Sequence, residues 1–425
     1  MTTTAATPAP TGRAAPGPWA VALSGAAALA VAMGIGRFAF TPVLPMMLAD
    51  GVVDLRGASW LASANYLGYL VGAVYCTFEP WLRARWRPDA RPVDGPRRVR
   101  AGLVATGVLT LGMALPWPAS WTALRFGAGV ASALVLVDAS GWCLAQLARR
   151  HAAALGGAMF AGPGAGIVAS GLCASAMVAW HWRASSAWLL LGLLAFVLAA
   201  PVWYILRSGA DDVPAPGGAR PAADAPAHAA ARAHGRTEIA CLAFAYGLAG
   251  FGYIVTATFL PVIAREALPG SPWLDFFWPI FGVGAFVGAL LATRLRVAGD
   301  LRLLLASAYF IQALGIAASL WSPSLAGFVV GSLLLGLPVT VIAFLALQEV
   351  RRLMPAHSAS GIGLLTVLYG IGQIVGPPLV AALLGRSATA AAGFTWSLEV
   401  AAGALAAGAA IYLWMSRAFP MTRPE

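Results

Sequence analysis

Four ionisable side chains stand inside stretches that are otherwise apolar: Arg37, Arg125, Asp138 and Glu399. An ionised group near the centre of a bilayer costs at least ~2.5–3.5 kcal/mol on insertion scales, so each needs a partner, a water-filled cavity or a cargo. Arg37 precedes Phe38-Ala39-Phe40-Thr41-Pro42, and the proline predicts a helix break that frees backbone carbonyls where a cavity could use them. A guanidinium is always charged and forks onto carboxylates, which suits Arg37 to an anionic group of the cargo. The alternative is an arginine that caps those freed carbonyls or pairs with a neighbouring helix. Thr41, four residues on, shares its face. Arg125 shares a stripe with Gly129 and Ser132, whose small size permits close helix approach, so it can lock its helix to a neighbour.

Asp138 and Glu399 are the candidate coupling acids, because desolvation raises a carboxyl pKa into a range where it loads and releases protons. On a straight helix Asp138 is rotated about 220° from Arg125 and faces elsewhere. Pairing with an arginine near the cytoplasmic end is the structural alternative for Asp138, and pairing with a neighbouring helix is that for Glu399. The remaining polar and aromatic positions fit a pocket for a small amphiphilic molecule: Asn65, Tyr66 and Tyr69, then Tyr246, Tyr253 and Thr256, then Tyr369 and Gln373. Taken singly, any of these tyrosines is more often a packing or interfacial residue. His151, His181 and His357 fall near predicted loop ends, and His228 and His234 fall in a solvated segment. Cys76, Cys143, Cys173 and Cys241 lie singly in apolar runs, so neither a metal site nor a disulfide framework is expected.

The elements that must position these residues follow from composition. Of 425 residues, 60% are hydrophobic and 10% charged, too few charges for a water-facing surface. An all-α membrane protein is expected, with twelve transmembrane spans near 19–48, 58–79, 101–118, 120–147, 153–180, 186–206, 238–264, 275–293, 301–320, 324–348, 358–384 and 389–415. The formal net charge of +11 sets orientation rather than a polyanion partner, and no nucleic acid is expected. Twenty-one of the 27 basic residues, all arginine, fall on the side of the termini, and four (Arg56, Arg183, Arg265 and Arg386) fall on the other. Both termini are therefore expected in the cytoplasm, with the protein in the cytoplasmic membrane.

Residues 208–236 are rich in Ala, Pro, Gly and charge and read as a flexible cytoplasmic linker. They separate two units, 19–207 and 237–416, flanked by tails at 1–18 and 417–425. The units resemble each other. Gly34-Ile35-Gly36 with Leu44-Pro45 recurs 216 positions later as Gly250-Phe251-Gly252 with Leu260-Pro261, and Gly68 and Gly72 map onto Gly284 and Gly288. At an offset of 202, Arg149-Arg150 maps onto Arg351-Arg352 and Gly129 onto Gly331. The collinear order predicts a duplicated six-helix unit, with two pseudo-symmetric bundles around a central site near the midplane.

Several segments resemble the major facilitator superfamily, and more narrowly its YbfB/YjiJ branch. The first span carries Gly34-Ile35-Gly36-Arg37-Phe38-Ala39-Phe40-Thr41-Pro42-Val43-Leu44-Pro45, the second Asn65-Tyr66-Leu67-Gly68-Tyr69 with Gly72, and the fourth Arg125-Phe126-Gly127-Ala128-Gly129. The fifth has Gly162-Pro163-Gly164-Ala165-Gly166, similar to a Gly-Pro run of many antiporters. The resemblance implies the major facilitator fold, packing or gating roles for these glycines and prolines, and a coupling role for Arg125 beside an acid. It also marks a departure: many proton-coupled relatives carry an acid in the first span, where this chain has Arg37.

The reading that results is a secondary active transporter, monomeric and without cofactor, moving a small organic solute, in the sharper version an anionic one, with protons. Proton-driven efflux of amphiphilic compounds is the alternative. A membrane-embedded enzyme or sensor has little behind it, since no His-box, diphosphate motif or nucleophile elbow is present. A phosphate-binding loop of an ATP-driven pump needs a lysine, and the chain has none.

Overall fold

The computed structural model describes residues 16–86, 94–152, 155–208, 235–271, 273–294, 300–354 and 358–420, and within them the chain is helical with no strand. Most of the expected linker and tails, together with His228, His234 and His357, lie outside the described residues. The first span is α1 (Pro18–Leu29), a π-helical turn (Ala30–Ile35) and α2 (Phe40–Ala49). Then come α3 (Leu55–Trp86), α4 (Gly95–Gly112), α5 (Pro118–Arg149), α6 (Gly156–Phe160), α7 (Gly162–Ala179) and α8 (Ala184–Ser208). The second half holds α9 (Gly235–Ala267), α10 (Phe277–Arg294), α11 (Leu301–Trp321), α12 (Leu325–Leu353), α13 (Ser358–Arg386) and α14 (Ala390–Ala418). We call the side on which α1 begins the near side and its opposite the far side.

Ten of these helical segments are long and apolar enough to cross a membrane. The two long helices outside that set are α3 and α4. α3 carries Ser59, Ser63, Asn65 and Tyr66 on a face that other helices cover, and all four are buried. α4 opens on Pro96-Arg97-Arg98, ahead of the expected start at 101, because Pro96 sits in the first turn, where its missing N–H is not needed. The fifth span is interrupted at Ala161, and Pro163 starts α7 for the same reason. Polar groups within the spans are covered while apolar side chains also face outward, as lipid requires: Asn65 is 0% exposed while Val197 is 67% exposed.

Within the first half, α3 and α4 pack on α5, α4 also on α8, and the first span on α7 and α8. In the second half, α10 and α11 pack on α12, α11 also on α14, and α9 on α13 and α14. Close approach depends on glycine at particular points. A methyl group on Gly68 would collide with the Phe126 carbonyl and one on Gly72 with that of Val130. In the second half, Gly284 and Gly288 lie in the same way against the carbonyls of Leu333 and Leu337. Gly34 lies against Gly166, Gly129 against Asn65, and Gly162 against Ala26, so these positions admit no side chain without backbone movement. Between the halves, α3 meets α13, α7 meets α10, and α2 meets α9.

Candidate functional site

The site begins with the break in the first span. Ahead of it, the N–H of Gly36 donates to Val31 O at 2.9 Å and that of Phe38 to Met33 O at 3.0 Å, the wide spacing of a π-turn. The helix then restarts at Phe40. The break therefore falls at Gly36–Ala39, before the proline expected to cause it. Pro42 sits in the first turn of α2, where no N–H is required, and Pro45 lies inside α2. A tight approach also limits Gly36, which is wedged among Ala32, Thr106 and Ser132.

Arg125 takes the carbonyls freed at this break. Its Nη1 donates to Gly36 O at 3.2 Å and its Nη2 to Arg37 O at 2.9 Å. Asn65 completes the clamp, donating to Gly36 O at 3.3 Å and to Arg125 O at 2.8 Å. Ser132 donates to Ala32 O at 2.6 Å. The capping role considered for Arg37 thus belongs to Arg125. Asn65, expected among the cargo residues, spends its amide N–H groups on backbone.

Released from that task, Arg37 reaches across to the second half of the chain. Its Nη2 donates to Gln373 Oε1, and Gln373 in turn donates to the Tyr253 hydroxyl at 2.5 Å. The guanidinium lies 3.9 Å from the Tyr69 ring centroid and 5.3 Å from those of Tyr66 and Phe38. Tyr369 stacks on Tyr246 at 4.6 Å and on Tyr253 at 5.9 Å. Arg37 is 3% exposed, its Nε has no hydrogen-bond partner, and no carboxylate among the described residues forms an ion pair with it. The structure therefore brings together Arg37, Tyr66, Tyr69, Tyr246, Tyr253, Tyr369 and Gln373 from three expected helices and the break.

Further hydrogen bonds join the halves on the far side of this cluster. Tyr66 Oη pairs with Thr258 Oγ1 at 2.9 Å, Thr41 Oγ1 donates to Ala257 O at 3.2 Å, Ser63 Oγ to Ile374 O at 2.9 Å, and Ser175 Oγ to Asp275 O at 2.8 Å. Thr256 is buried with its hydroxyl unpartnered. On the near side the halves meet by close packing of Gly157 against Thr293, and beside the cluster Gly370 lies against Leu70. A cavity of about 700 Å³ also opens on the far side, lined by Met47, Asp50, Trp121, Arg183 and Trp188. None of the expected cargo residues lines it.

The candidate coupling acids stand elsewhere. Asp138 pairs with Arg98 at 2.7 Å near the near-side end of α5, with Glu79 3.8 Å from Arg98 and 3.2 Å from Arg83. Glu399 is exposed on α14, on the face that carries the exposed Trp396 and Val400. Neither forms an ion pair with Arg37 or Arg125. A further charged cluster escaped the sequence reading: Arg302, fully buried, donates to Glu238 at 2.9 Å and Asp300 at 2.8 Å, with Glu349 at 3.9 Å. Burial alone would raise the Asp300 carboxyl, but hydrogen bonds and charge from Arg302 outweigh it and hold the group below its ordinary pKa. The signal available in the sequence was weak, because these residues sit at span ends, where charge is commonplace.

Ten segments long and apolar enough to cross a membrane, glycine-mediated packing and a buried arginine where the two halves of the chain meet define a polytopic membrane protein. The chain belongs to the family described as the uncharacterised MFS-type transporter YbfB, whose model matches residues 29–413. Among solved structures it is similar to the nucleoside transporter NupG, with a TM-score of 0.66 and 14% identity over 93% of this chain and 99% of that one. That likeness shows a shared fold. Among curated proteins, none matches the chain in sequence.

Proposed function

We propose that the chain is a secondary active transporter that carries a small organic solute with an anionic group by alternating access. In this reading α3 and α4 join the ten apolar segments to make twelve spans, arranged as two pseudo-symmetric six-helix bundles. The packing supports it: shifted by six spans, the helix pairs of the first half become those of the second. Thr41 and Ala257, 216 positions apart, occupy equivalent places in the two repeats and bond to each other, as residues beside a pseudo-twofold axis do. The arginine bias supports cytoplasmic termini in this reading, which also takes the protein to be a monomer of the cytoplasmic membrane.

One observation carries the cargo assignment. Arg37 is buried between the halves with no carboxylate of the described residues paired to it, and a guanidinium there gains most from an anion that forks onto it. A neutral nucleoside, the cargo class named for NupG, would leave that charge as uncompensated as before. The tyrosine rings supply apolar walls, and Gln373 and the Tyr253 hydroxyl supply polar contacts. Because Asp138 and Glu399 stand away from the cleft, any proton they carry acts through helix packing rather than by contact with cargo.

Thermal stabilisation of the purified protein over a metabolite library tests the assignment. Anions should stabilise the wild type and fail to stabilise Arg37→Ala. Stabilisation by neutral or cationic compounds only, or anion effects unchanged in Arg37→Ala, would remove it.

A further inference from the structure

The same cluster around Arg37 bears on coupling, and the following rests on the anion-carrier reading. Eleven acids lie among the described residues, and their placement leaves the centre without one. Glu79 and Asp138 are held by Arg83 and Arg98, Asp94 by Arg97, and Glu238, Asp300 and Glu349 by Arg302 and Arg352. Asp275 pairs with Arg265, Asp50 accepts the N–H of Ala184 at the start of α8, and Asp54 accepts that of Gly57. Glu266 is at the far-side end of α9 and Glu399 is exposed on α14. Against these, Arg37 and Arg125 are 3% and 2% exposed and, among the described residues, meet carbonyls, an amide oxygen and aromatic side chains and form no ion pair.

A guanidinium does not titrate in the physiological range, so a proton cannot switch this charge off. Desolvating an uncompensated charge is costly, whereas a bound anion cancels it. The loaded cleft can therefore pass through a closed intermediate more readily than the empty one.

We propose that this protein is an anion exchanger: a small organic monoanion bound at Arg37 permits the halves to reorient, and return of the empty site is the slow step. The direction of net movement of one anion is then set by the gradient of another. Since each half-cycle carries the same compensated charge, exchange of like anions is electroneutral.

The test uses full-length protein in liposomes and impermeant organic monoanions as probes: labelled gluconate and labelled benzenesulfonate. Vesicles are loaded with the unlabelled probe or with sucrose. Uptake of at least one probe should be at least tenfold faster into probe-loaded vesicles, and indifferent to a potential set with potassium and valinomycin. Gln373→Glu, which places a carboxylate on Arg37, should lower that exchange at least tenfold in protein that remains monodisperse with its melting temperature kept. Equal uptake into sucrose-loaded vesicles under a pH gradient would overturn exchange while leaving the transporter reading intact. Exchange undiminished in monodisperse Gln373→Glu would overturn the role of the uncompensated charge. No movement of any probe under either loading would overturn the anion-carrier reading and the exchange proposal with it.

Discussion

Arg302 and Arg37 are both guanidiniums removed from solvent, and their surroundings are opposite. Arg302 has two carboxylates within 3 Å-class hydrogen-bond reach, at 2.9 Å and 2.8 Å, a third at 3.9 Å, and the carbonyls of Met415 and Phe419 at 3.1 Å and 2.8 Å. Its charge is fully answered by the protein, and it ties the start of α11 to α9 and to the end of α14. Arg37 has an amide oxygen and the faces of three rings. Arg125 is intermediate, its fork answered by two carbonyls at a helix break. A buried charge completed by its own chain belongs to the architecture, whereas one left incomplete points to something that arrives from outside.

That contrast is open to direct attack. The largest effect is expected for Arg302→Met, which removes the cation shared by Glu238, Asp300 and Glu349; breaking a buried pair in this way costs about 3–5 kcal/mol, read by unfolding in detergent. Arg37→Met should behave inversely, keeping the melting temperature while anion flux falls roughly 10–100-fold, the loss of a charged hydrogen bond worth about 1.5–3 kcal/mol. If Arg37→Met unfolded the protein as Arg302→Met does, the distinction would collapse. Arg125→Lys retains charge but cannot fork onto two carbonyls, and a loss of about 1–2 kcal/mol is expected in the same unfolding assay.

Smaller still is Tyr66→Phe, which removes the bond to Thr258 and weakens the far-side junction by about 0.5–1.5 kcal/mol. Cysteines introduced on the far side should then label faster, and unchanged labelling would show that this bond does not hold the junction. Acid supplies the mildest perturbation. Asp300 is held below its unfolded value of about 3.9, so its contribution is complete above that pH and is lost as pH falls through the lower, folded value. Wild type should therefore lose stability on acidification below about pH 4, and Asp300→Asn should lose less over the same interval.

Much of the centre was legible because charge is conspicuous in an apolar span. Arg37, Tyr66, Tyr69, Tyr253, Tyr369 and Gln373 meet around one point, as expected of polar residues that lipid would reject. Asn65 also lies there, but its amide N–H groups serve the break, a use that depends on a carbonyl whose release no residue type announces. The break itself was expected at Pro42 and falls before it. A proline in the first turn starts a helix as readily as it ends one, and the π-turn upstream has no local signature. Arg302 and its acids went unnoticed because 64 positions separate it from Glu238, and charges at span ends look alike until the ends are packed together.

The sequence alone determined that this chain lives in a membrane, that it is helical, and which side its arginines favour, because hydropathy, span length and charge bias act locally along the chain. Its family was legible too, in the first-span string, which lies within the residues the family model matches. Tertiary structure decided which buried charges are answered. Compensation is a matter of ångströms between residues far apart in order, so only packing could assign Arg125 to the carbonyls, Arg302 to its acids, and Arg37 to Gln373 across the junction of the halves.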